Sequence, residues 1–283
     1  MQLLNVSIGG VACDAREACG AMPLMNDRLL IAQEAARSAG ALLRDKLGTN
    51  IGVRSKDVRR NLVTEVDTQS EALIRRIIGR RFARDAVLGE ESGSKGNAAQ
   101  GRWIVDPLDG TTNYAHGYRC FCVSIAYERA GAVQCGVVYD PMSDELFSAV
   151  RGKGAYCNGR SLHVSGALRL ADALLVTGFP AHQVSRPLAN VRPFIAFMRK
   201  AQAVRRDGSA ALDLCYVADG RFDGFWEGGL HAWDIAAGKL LVEEAGGRVS
   251  GYRGAAAALD GAQIVASNGR VHAQMLAVLR KFA

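Results

Sequence analysis

The chain has 283 residues, of which 49% are hydrophobic and 22% are charged, and its formal net charge is +7. This composition is typical of a well-packed α/β protein and excludes a disordered chain. No apolar run approaches the ~20 residues that a membrane-spanning helix needs, and charged residues interrupt the first apolar stretch, so we expect no signal peptide. The seven cysteines form no CxxC pair, which predicts reduced thiols and a cytoplasmic protein.

The positive charge leaves three interpretations open: a nucleic-acid partner, an anionic substrate, or a basic surface without a partner. Five arginines between residues 75 and 84 lie opposite hydrophobic residues, which predicts an amphipathic helix with a solvated basic face. No nucleic-acid module and no pattern of stacking aromatic residues is visible. Nucleic-acid binding is therefore kept only as an alternative.

The N-terminal region contains no motif before the first predicted helix. Residues 1–25 are expected to form a frayed extension. Asn26 or Asp27 is expected to cap a helix that ends near Leu47, and a strand pair or a mobile loop follows it.

Thr64 and Asp67 have the spacing of a capping box at the start of the arginine-rich helix. Short strands with turn residues between them follow that helix. We predict strands at residues 86–88, 103–105, 120–129, 133–139 and 145–150, a polar loop at 92–100, and turns at 139–144 and 158–159.

The pattern changes near residues 164–167, where alternating strands and helices begin. The sequence therefore predicts an α+β sub-domain over residues 26–165 and an α/β sub-domain over residues 166–283. In the second part we predict strands at 174–176, 222–226 and 263–266, and helices at 186–202, 209–218, 234–245 and 269–282.

The segment after the strand at 103–105 concentrates the candidate chemistry. Asp106 and Asp109 are separated by Pro107, which stiffens the turn, and Gly110 lets the backbone approach a ligand closely. Thr111 follows with a hydroxyl and a backbone N–H group, and a helix starting here would favour an anion. Carboxylate oxygens suit Mg²⁺. An Asp-Pro pair followed by glycine is also an ordinary turn.

Residues 106–113, D-P-L-D-G-T-T-N, resemble the metal-binding signature of the inositol monophosphatase family of Mg²⁺-dependent, lithium-sensitive phosphatases. Three further segments resemble motifs of that family in the same order. They are residues 61–67, residues 89–92, and residues 233–238 together with 243–247. The resemblance implies a layered α-β-α-β-α sandwich and a homodimer.

The resemblance also implies roles for individual residues, with two to three Mg²⁺ ions in each site. Glu90, Thr111 and Asp106 would be catalytic, because Glu90 and Thr111 would orient the attacking water. The implied metal ligands are Glu90, Asp106, the carbonyl of Leu108, Asp109 and Asp234, with Asp67 near a third ion, and the implied substrate contacts are Gly110, Thr111, Ser209, Ala210, Glu227 and Asp234.

Each role has a plainer alternative. Asp234 is also a suitable residue for the start of a helix, and Glu227 could be a charge on the pocket rim. His116 is more typical of a surface position than of a ligand. A solvated loop explains the charge of Lys56 as well as a role in the site does. Asn61 stands where many relatives have aspartate, which puts the third metal position in doubt.

Converging carboxylates repel one another, so such a cluster must bind cations or take up protons. The expected function is hydrolysis of inositol monophosphate to inositol and phosphate by a metal-activated water. The same chemistry on histidinol phosphate, a sugar bisphosphate or a nucleotide 3′-phosphate is one alternative. A regulatory role in binding RNA polymerase or RNA is the other.

Overall fold

The computed structural model describes residues 15–49, 52–55, 62–96, 101–179, 190–259 and 263–283, with side chains from Asn26 onward except that of Ser55. Within these residues, the first part of the chain contributes three helices and ten strands. They are α1 (Ala15–Lys46), β1 (Arg54–Ser55), β2 (Leu62–Val63), α2 (Glu65–Arg81), β3 (Ala86–Gly89), β4 (Gly93–Lys95), β5 (Arg102–Asp109), α3 (Thr111–Ala115), β6 (Cys122–Arg129), β7 (Ala132–Asp140), β8 (Glu145–Val150), β9 (Ala155–Cys157) and β10 (Arg160–Ser161).

The second part alternates strands and helices as its sequence pattern predicts. Its elements are β11 (Leu174–Thr177), α4 (Val191–Met198), β12 (Ala203–Arg205), α5 (Ala210–Ala218), β13 (Gly224–Gly228), α6 (Ala232–Glu244), β14 (Arg248–Ser250), β15 (Gln263–Ser267) and α7 (His272–Leu279). A short 3₁₀ turn, Arg280–Phe282, follows α7.

The larger sheet has eight strands in the order β10-β9-β8-β7-β6-β5-β3-β4. Its pairs are antiparallel except β3 with β5, which is parallel. Two predicted turns shape it. Asp140 accepts the backbone N–H groups of Met142 and Ser143 at 2.8 and 3.2 Å between β7 and β8, and Asn158 and Gly159 both have positive φ angles, 48° and 83°, between β9 and β10.

The smaller sheet has five strands in the order β12-β11-β13-β15-β14. Helices α1 and α2 pack on the outer face of the larger sheet, α5 and α6 lie between the two sheets, and α4 and α7 cover the outer face of the smaller sheet. This arrangement confirms the expected α-β-α-β-α sandwich. The buried side chains form three cores, one for each helix layer.

Several predicted boundaries were wrong. Helix α1 begins at Ala15 rather than beside Asn26 or Asp27. Most residues of this stretch favour a helix, whereas Gly20 and Pro23 do not. Of the helix predicted at 186–202, the described residues form Val191–Met198, and residues 186–189 lie outside the described part of the chain. The loop predicted at 92–100 contains strand β4, and strands β12 and β14 were not predicted. These three strands have three residues each, which is too short for a periodic pattern.

The capping box predicted for α2 is present. The Thr64 hydroxyl accepts backbone N–H groups of the first turn, and Asp67 accepts the backbone N–H of Thr64. The segment after α1, predicted as a strand pair or a mobile loop ending near Arg60, contains strand β1, but the partner strand β2 lies beyond that segment. Lys56 and Asn61 lie outside the described residues.

Two further expectations concern the whole chain. Among the described residues, no helix combines the length and hydrophobicity needed to cross a membrane. The cysteines whose side chains are described, which are Cys120, Cys122, Cys135, Cys157 and Cys215, are free thiols.

The contact between β7 and α6 leaves no room for a side chain at Gly136, because an added Cβ would lie 2.9 Å from the Cα of Ala237. We expect Gly136→Ala to destabilise the protein by about 1–3 kcal/mol, since the backbone of α6 must move. Gly79→Ala is the matched control. It lies in α2 with nothing within 4 Å of an added Cβ, so it should stabilise by about 0.5–1 kcal/mol. Urea unfolding measures both, and equal effects would contradict the close packing.

Candidate functional site

A β-bulge in β5 brings Asp106 and Asp109 to the same side of the chain. Asp106 pairs with Ser124 and Asp109 with Cys122, so three steps on β5 oppose two on β6. Side chains alternate along a regular strand, and residues three apart would face opposite ways without the extra residue. The bulge is held from outside, since the Ser70 hydroxyl donates to the carbonyl of Pro107 at 2.9 Å.

Asp234 completes a group of three carboxylates. Asp106, Asp109 and Asp234 each contribute an oxygen, and these oxygens lie within 4.8 Å of one another. Asp234 lies in the first turn of α6, where it accepts the backbone N–H of His231 at 2.6 Å. The helix-start role and the site role proposed for Asp234 are therefore compatible, because its side chain caps the helix and also faces the other two acids.

Glu90 lies in the turn that follows β3, on the wall of the same pocket but outside that group of three. Its turn is held by the buried carboxylate of Glu71, which accepts the backbone N–H of Glu91 at 2.8 Å and the hydroxyl of Ser92 at 2.5 Å. Arg75 donates to Glu71 at 2.8 Å and to the carbonyl of Gly93 at 2.8 Å. Sequence reasoning missed this support because its partners lie about twenty residues apart.

Electrostatics at the group of three favour a bound cation. Burial raises the pKa of Asp106 well above its usual range, and the charges of Glu90, Asp109 and Asp234 raise it further. Burial also raises the pKa of Asp109 to about 6, although its hydrogen bonds oppose this shift. The pKa of Asp234 is also raised well above its usual range, by burial and by the charges of Asp109 and Glu90. Hard oxygen donors whose charges repel one another are the set that Mg²⁺ prefers.

Asp109 is fixed by the helix layer between the sheets. Its Oδ2 atom accepts the hydroxyl of Ser209 at 2.7 Å and the backbone N–H of Ala211 at 2.8 Å, both at the start of α5. Asn113 adds a second link, because its side-chain amide donates to the carbonyls of Cys120 and Asp207 at 2.7 and 2.8 Å. The start of α5 is therefore tied to the loop that contains the two β5 carboxylates.

Asp67 lies behind the pocket wall. Its Oδ2 atom accepts the N–H and the hydroxyl of Thr64 at 2.8 and 2.5 Å, and its Oδ1 atom lies 3.2 Å from the hydroxyl of Thr111. The Thr111 hydroxyl is also 3.1 Å from the carbonyl of Leu108. Asp67 therefore positions Thr111 in this structure, and its role near a third metal ion stays a prediction.

The pocket in front of the carboxylates brings most of the predicted site residues together. Its wall includes Glu90, Asp109, Gly110, Thr111, Ser209, Ala210, Glu227 and Asp234. Asp106, Leu108 and Asp67 are buried behind that wall. Glu227 is only 4% exposed, so it is not a rim charge. His116 is exposed and does not line the pocket.

Two charged pocket residues were missed at the sequence level, Asp213 and Arg206. A signal for Asp213 existed, because it is the sole charged residue of the apolar helix α5. A lone carboxylate among core residues deserves an explanation from the fold or from a ligand. Arg206 gave no comparable signal, since it follows Arg205 in a polar loop.

Comparison with known proteins places this site in context. Residues 25–282 match the model of the inositol monophosphatase family. The chain belongs to that family.

Its relatives have two kinds of name. It is 43% identical over 264 residues to the "Nus factor SuhB" of Pseudomonas aeruginosa, covering 90% of this chain and 97% of that one. It is 44% identical over 248 residues to the "Inositol-1-monophosphatase" of Synechocystis sp., covering 87% and 86%. Family membership supports a phosphatase activity.

Solved structures agree with the fold. The extragenic suppressor protein suhB of Bartonella henselae superposes with a TM-score of 0.86 at 39% identity, covering 90% of this chain and 99% of that one. A structure described as an "IMPase/NADP phosphatase complexed with Mg2+ and phosphate" has a TM-score of 0.73 at 26% identity, covering 93% of each chain.

The raised pKa of Asp109 predicts how its removal affects stability when a chelator keeps metal away. The folded protein retains a proton that the unfolded chain releases near pH 4, so Asp109 costs stability as the pH rises from about 4 through about 6. We expect Asp109→Asn to gain stability over wild type across this window, by on the order of 1–3 kcal/mol at pH 7.

Denaturant unfolding at several pH values, with EDTA present throughout, measures this difference. Asp172→Asn is the control, because a hydrogen bond with Arg169 lowers the pKa of Asp172 and removal should bring no such gain. A difference between Asp109→Asn and wild type that stays flat from pH 4 to 7 would contradict the clustering of charges.

Proposed function

We propose that this protein is a Mg²⁺-dependent phosphomonoesterase that hydrolyses inositol monophosphate to inositol and phosphate. The observation that carries the proposal is the group formed by Asp106, Asp109 and Asp234, whose oxygens lie within 4.8 Å of one another beside a pocket. The relative described as bound to Mg²⁺ and phosphate supports the choice of metal. The relative named inositol-1-monophosphatase supports the choice of substrate.

The residues that would hold two Mg²⁺ ions are the carboxylates of Glu90, Asp106, Asp109 and Asp234 and the carbonyl of Leu108, with Asp67 near a third ion. Bound Mg²⁺ lowers the pKa of water and offsets the negative charge that develops as the ester bond breaks. Phosphate ester hydrolysis depends mainly on such charge stabilisation, so no covalent nucleophile of the protein is needed.

Thr111 and Glu90 have separate roles toward the attacking water. The Thr111 hydroxyl donates its hydrogen to Asp67 Oδ1 or to the Leu108 carbonyl, which leaves its oxygen free to accept a hydrogen bond from the attacking water. The Glu90 carboxylate is the acceptor for the proton that this water loses. Gly110 and Thr111, at the start of α3, would contact the phosphate oxygens.

The alcohol part of the substrate would contact the other wall of the pocket, where Glu227 is buried. A buried carboxylate can accept hydrogen bonds from the hydroxyl groups of a polyol, which favours inositol over an apolar alcohol. Histidinol phosphate, sugar bisphosphates and nucleotide 3′-phosphates remain rival substrates for the same chemistry.

A second candidate function is favoured by the relatives named Nus factors, which are as similar to this chain as the named phosphatases. In this role the protein would bind RNA polymerase or RNA, and the net charge of +7 is suited to an anionic partner. We also propose that the protein forms a homodimer. Neither binding to RNA polymerase or RNA nor dimer formation requires hydrolysis of a substrate at the carboxylate group.

Metal removal tests the proposed chemistry. We expect phosphatase activity to disappear in EDTA and to return with excess Mg²⁺, and Asp106→Asn to lose at least ~10²-fold in kcat because one fixed charge is removed. Li⁺ should inhibit where K⁺ at the same ionic strength does not. Steady-state release of phosphate measures all three effects, with Asp172→Asn as the control substitution. Full activity in excess chelator would rule out a metal-dependent mechanism.

Substrate choice tests the role of Glu227. We expect Glu227→Ala to lower kcat/KM for inositol monophosphate by a factor equivalent to about 1–3 kcal/mol of transition-state stabilisation. The reason is the loss of a hydrogen bond from a substrate hydroxyl to a charged group. The loss on an aryl phosphate without hydroxyls should be smaller. If both substrates lose the same factor, Glu227 supports the metal site or the fold instead.

One variant, Asp106→Asn, distinguishes the two candidate functions. In Pseudomonas aeruginosa cells lacking their own Nus factor SuhB, the wild-type chain should correct the defect caused by that loss if the second function is correct. Asp106→Asn should correct it equally well, although it has lost hydrolysis. Correction by wild type but not by Asp106→Asn would tie the cellular effect to the phosphatase activity.

A further inference from the structure

Asp213 is an unusual carboxylate in this fold. It is 1% exposed, and neither of its oxygens has a hydrogen-bond partner within the described part of the chain. Other buried carboxylates are partnered: Asp223, for example, accepts the hydroxyl of Ser165 and the backbone N–H of Leu174 at 2.5 and 2.6 Å. An unpartnered buried carboxylate costs free energy without contributing to folding.

The position of Asp213 connects it to the pocket. It lies four residues after Ser209, and its backbone N–H donates to the Ser209 carbonyl at 3.0 Å. Residues four apart lie on the same face of a helix, one turn or about 5.4 Å along it. Ser209 bonds Asp109 of the carboxylate group, so Asp213 lines the same pocket one helical turn farther from the predicted metal site.

Glu227 lies on this same part of the wall. Burial raises the pKa of Asp213 well above its usual range, and the nearby charges of Glu227 and Asp207 raise it further. Gly178 also belongs to this wall, and a Cβ there would collide with the Glu227 carboxylate. The absence of a side chain at Gly178 therefore lets the Glu227 carboxylate lie directly against the backbone of that residue.

Arg206 decides what kind of group this wall suits. It is exposed and lines the pocket. Burial raises the pKa of both Asp213 and Glu227 well above the usual range, and the charge of Arg206 partly offsets this rise. A cationic ligand would meet that guanidinium as well as the two acids. Neutral hydroxyl groups can donate hydrogen bonds to carboxylates without this repulsion.

We propose that Asp213 is a specificity-determining residue that, together with Glu227, binds neighbouring hydroxyl groups on the alcohol part of the substrate. This inference rests on the proposed phosphatase function and adds a second contact to it. Two acceptors at the far side of the pocket select polyol phosphates, because an alcohol without hydroxyls would leave both carboxylates unpaired.

The test compares two esters that share a six-membered ring, myo-inositol 1-phosphate and cyclohexyl phosphate, which lacks the hydroxyls. The quantity measured is the ratio of their kcat/KM values in saturating Mg²⁺. We expect Asp213→Leu to lower this ratio by about 10- to 100-fold, and Asp213→Asn by less, because an amide still offers an acceptor. Asp223→Asn, a buried carboxylate outside the pocket, should leave the ratio unchanged.

Thermal unfolding supplies a readout that separates a binding role from a structural one. Since the side chain of Asp213 makes no hydrogen bond to the described residues, Asp213→Leu should melt at or above the wild-type temperature. A lower melting temperature, an unchanged ratio, or equal losses on both esters would overturn the proposal, because Asp213 would then support the fold or hold a buried water. A wild-type protein that hydrolyses neither ester would instead overturn the proposed function, and this inference with it.

Discussion

Repulsion between converging carboxylates is the constraint on which the rest of this structure depends. At an effective dielectric near 20, two unit charges 4 Å apart repel by about 4 kcal/mol, and Asp106, Asp109 and Asp234 have oxygens within 4.8 Å of one another. Each acid is therefore fixed by its own element. The β5 bulge presents two of them and is held by Ser70, and the first turn of α6 fixes the third. A bound cation would attract all three carboxylates and so offset their mutual repulsion.

The five-layer arrangement makes such a site possible because no single layer contains it. The larger sheet contributes the β5 carboxylates, the helices between the sheets contribute Asp234 and the hydrogen bonds to Asp109, and the smaller sheet contributes Glu227. Asn113 ties the β5 loop to the segment before α5. The pocket is thus built from residues on both sides of the predicted boundary near 164–167. The division into two sub-domains remains a prediction.

Features that depend on neighbouring residues could be predicted from the sequence. The capping box of Thr64 with Asp67 and the turn at Asn158 are both local. The carboxylates of the metal motif were found through their resemblance to a family signature. Features that depend on distant contacts could not be predicted. The edge strand β4 exists because β3 offers it a partner, and nothing in residues 89–92 shows that Glu71 holds them. The burial of Asp213 likewise follows from packing between two sheets.

Anomalous diffraction from crystals soaked in Mn²⁺ would test the central claim, that these carboxylates form a metal site, most directly. Mn²⁺ takes the same oxygen ligands as Mg²⁺ and scatters anomalously, so its position is observed rather than inferred from activity. The structure predicts a peak within coordinating distance of the carboxylates of Asp106, Asp109 and Asp234, and the loss of that peak in Asp106→Asn. A wild-type crystal with no anomalous peak among these three side chains would contradict the claim.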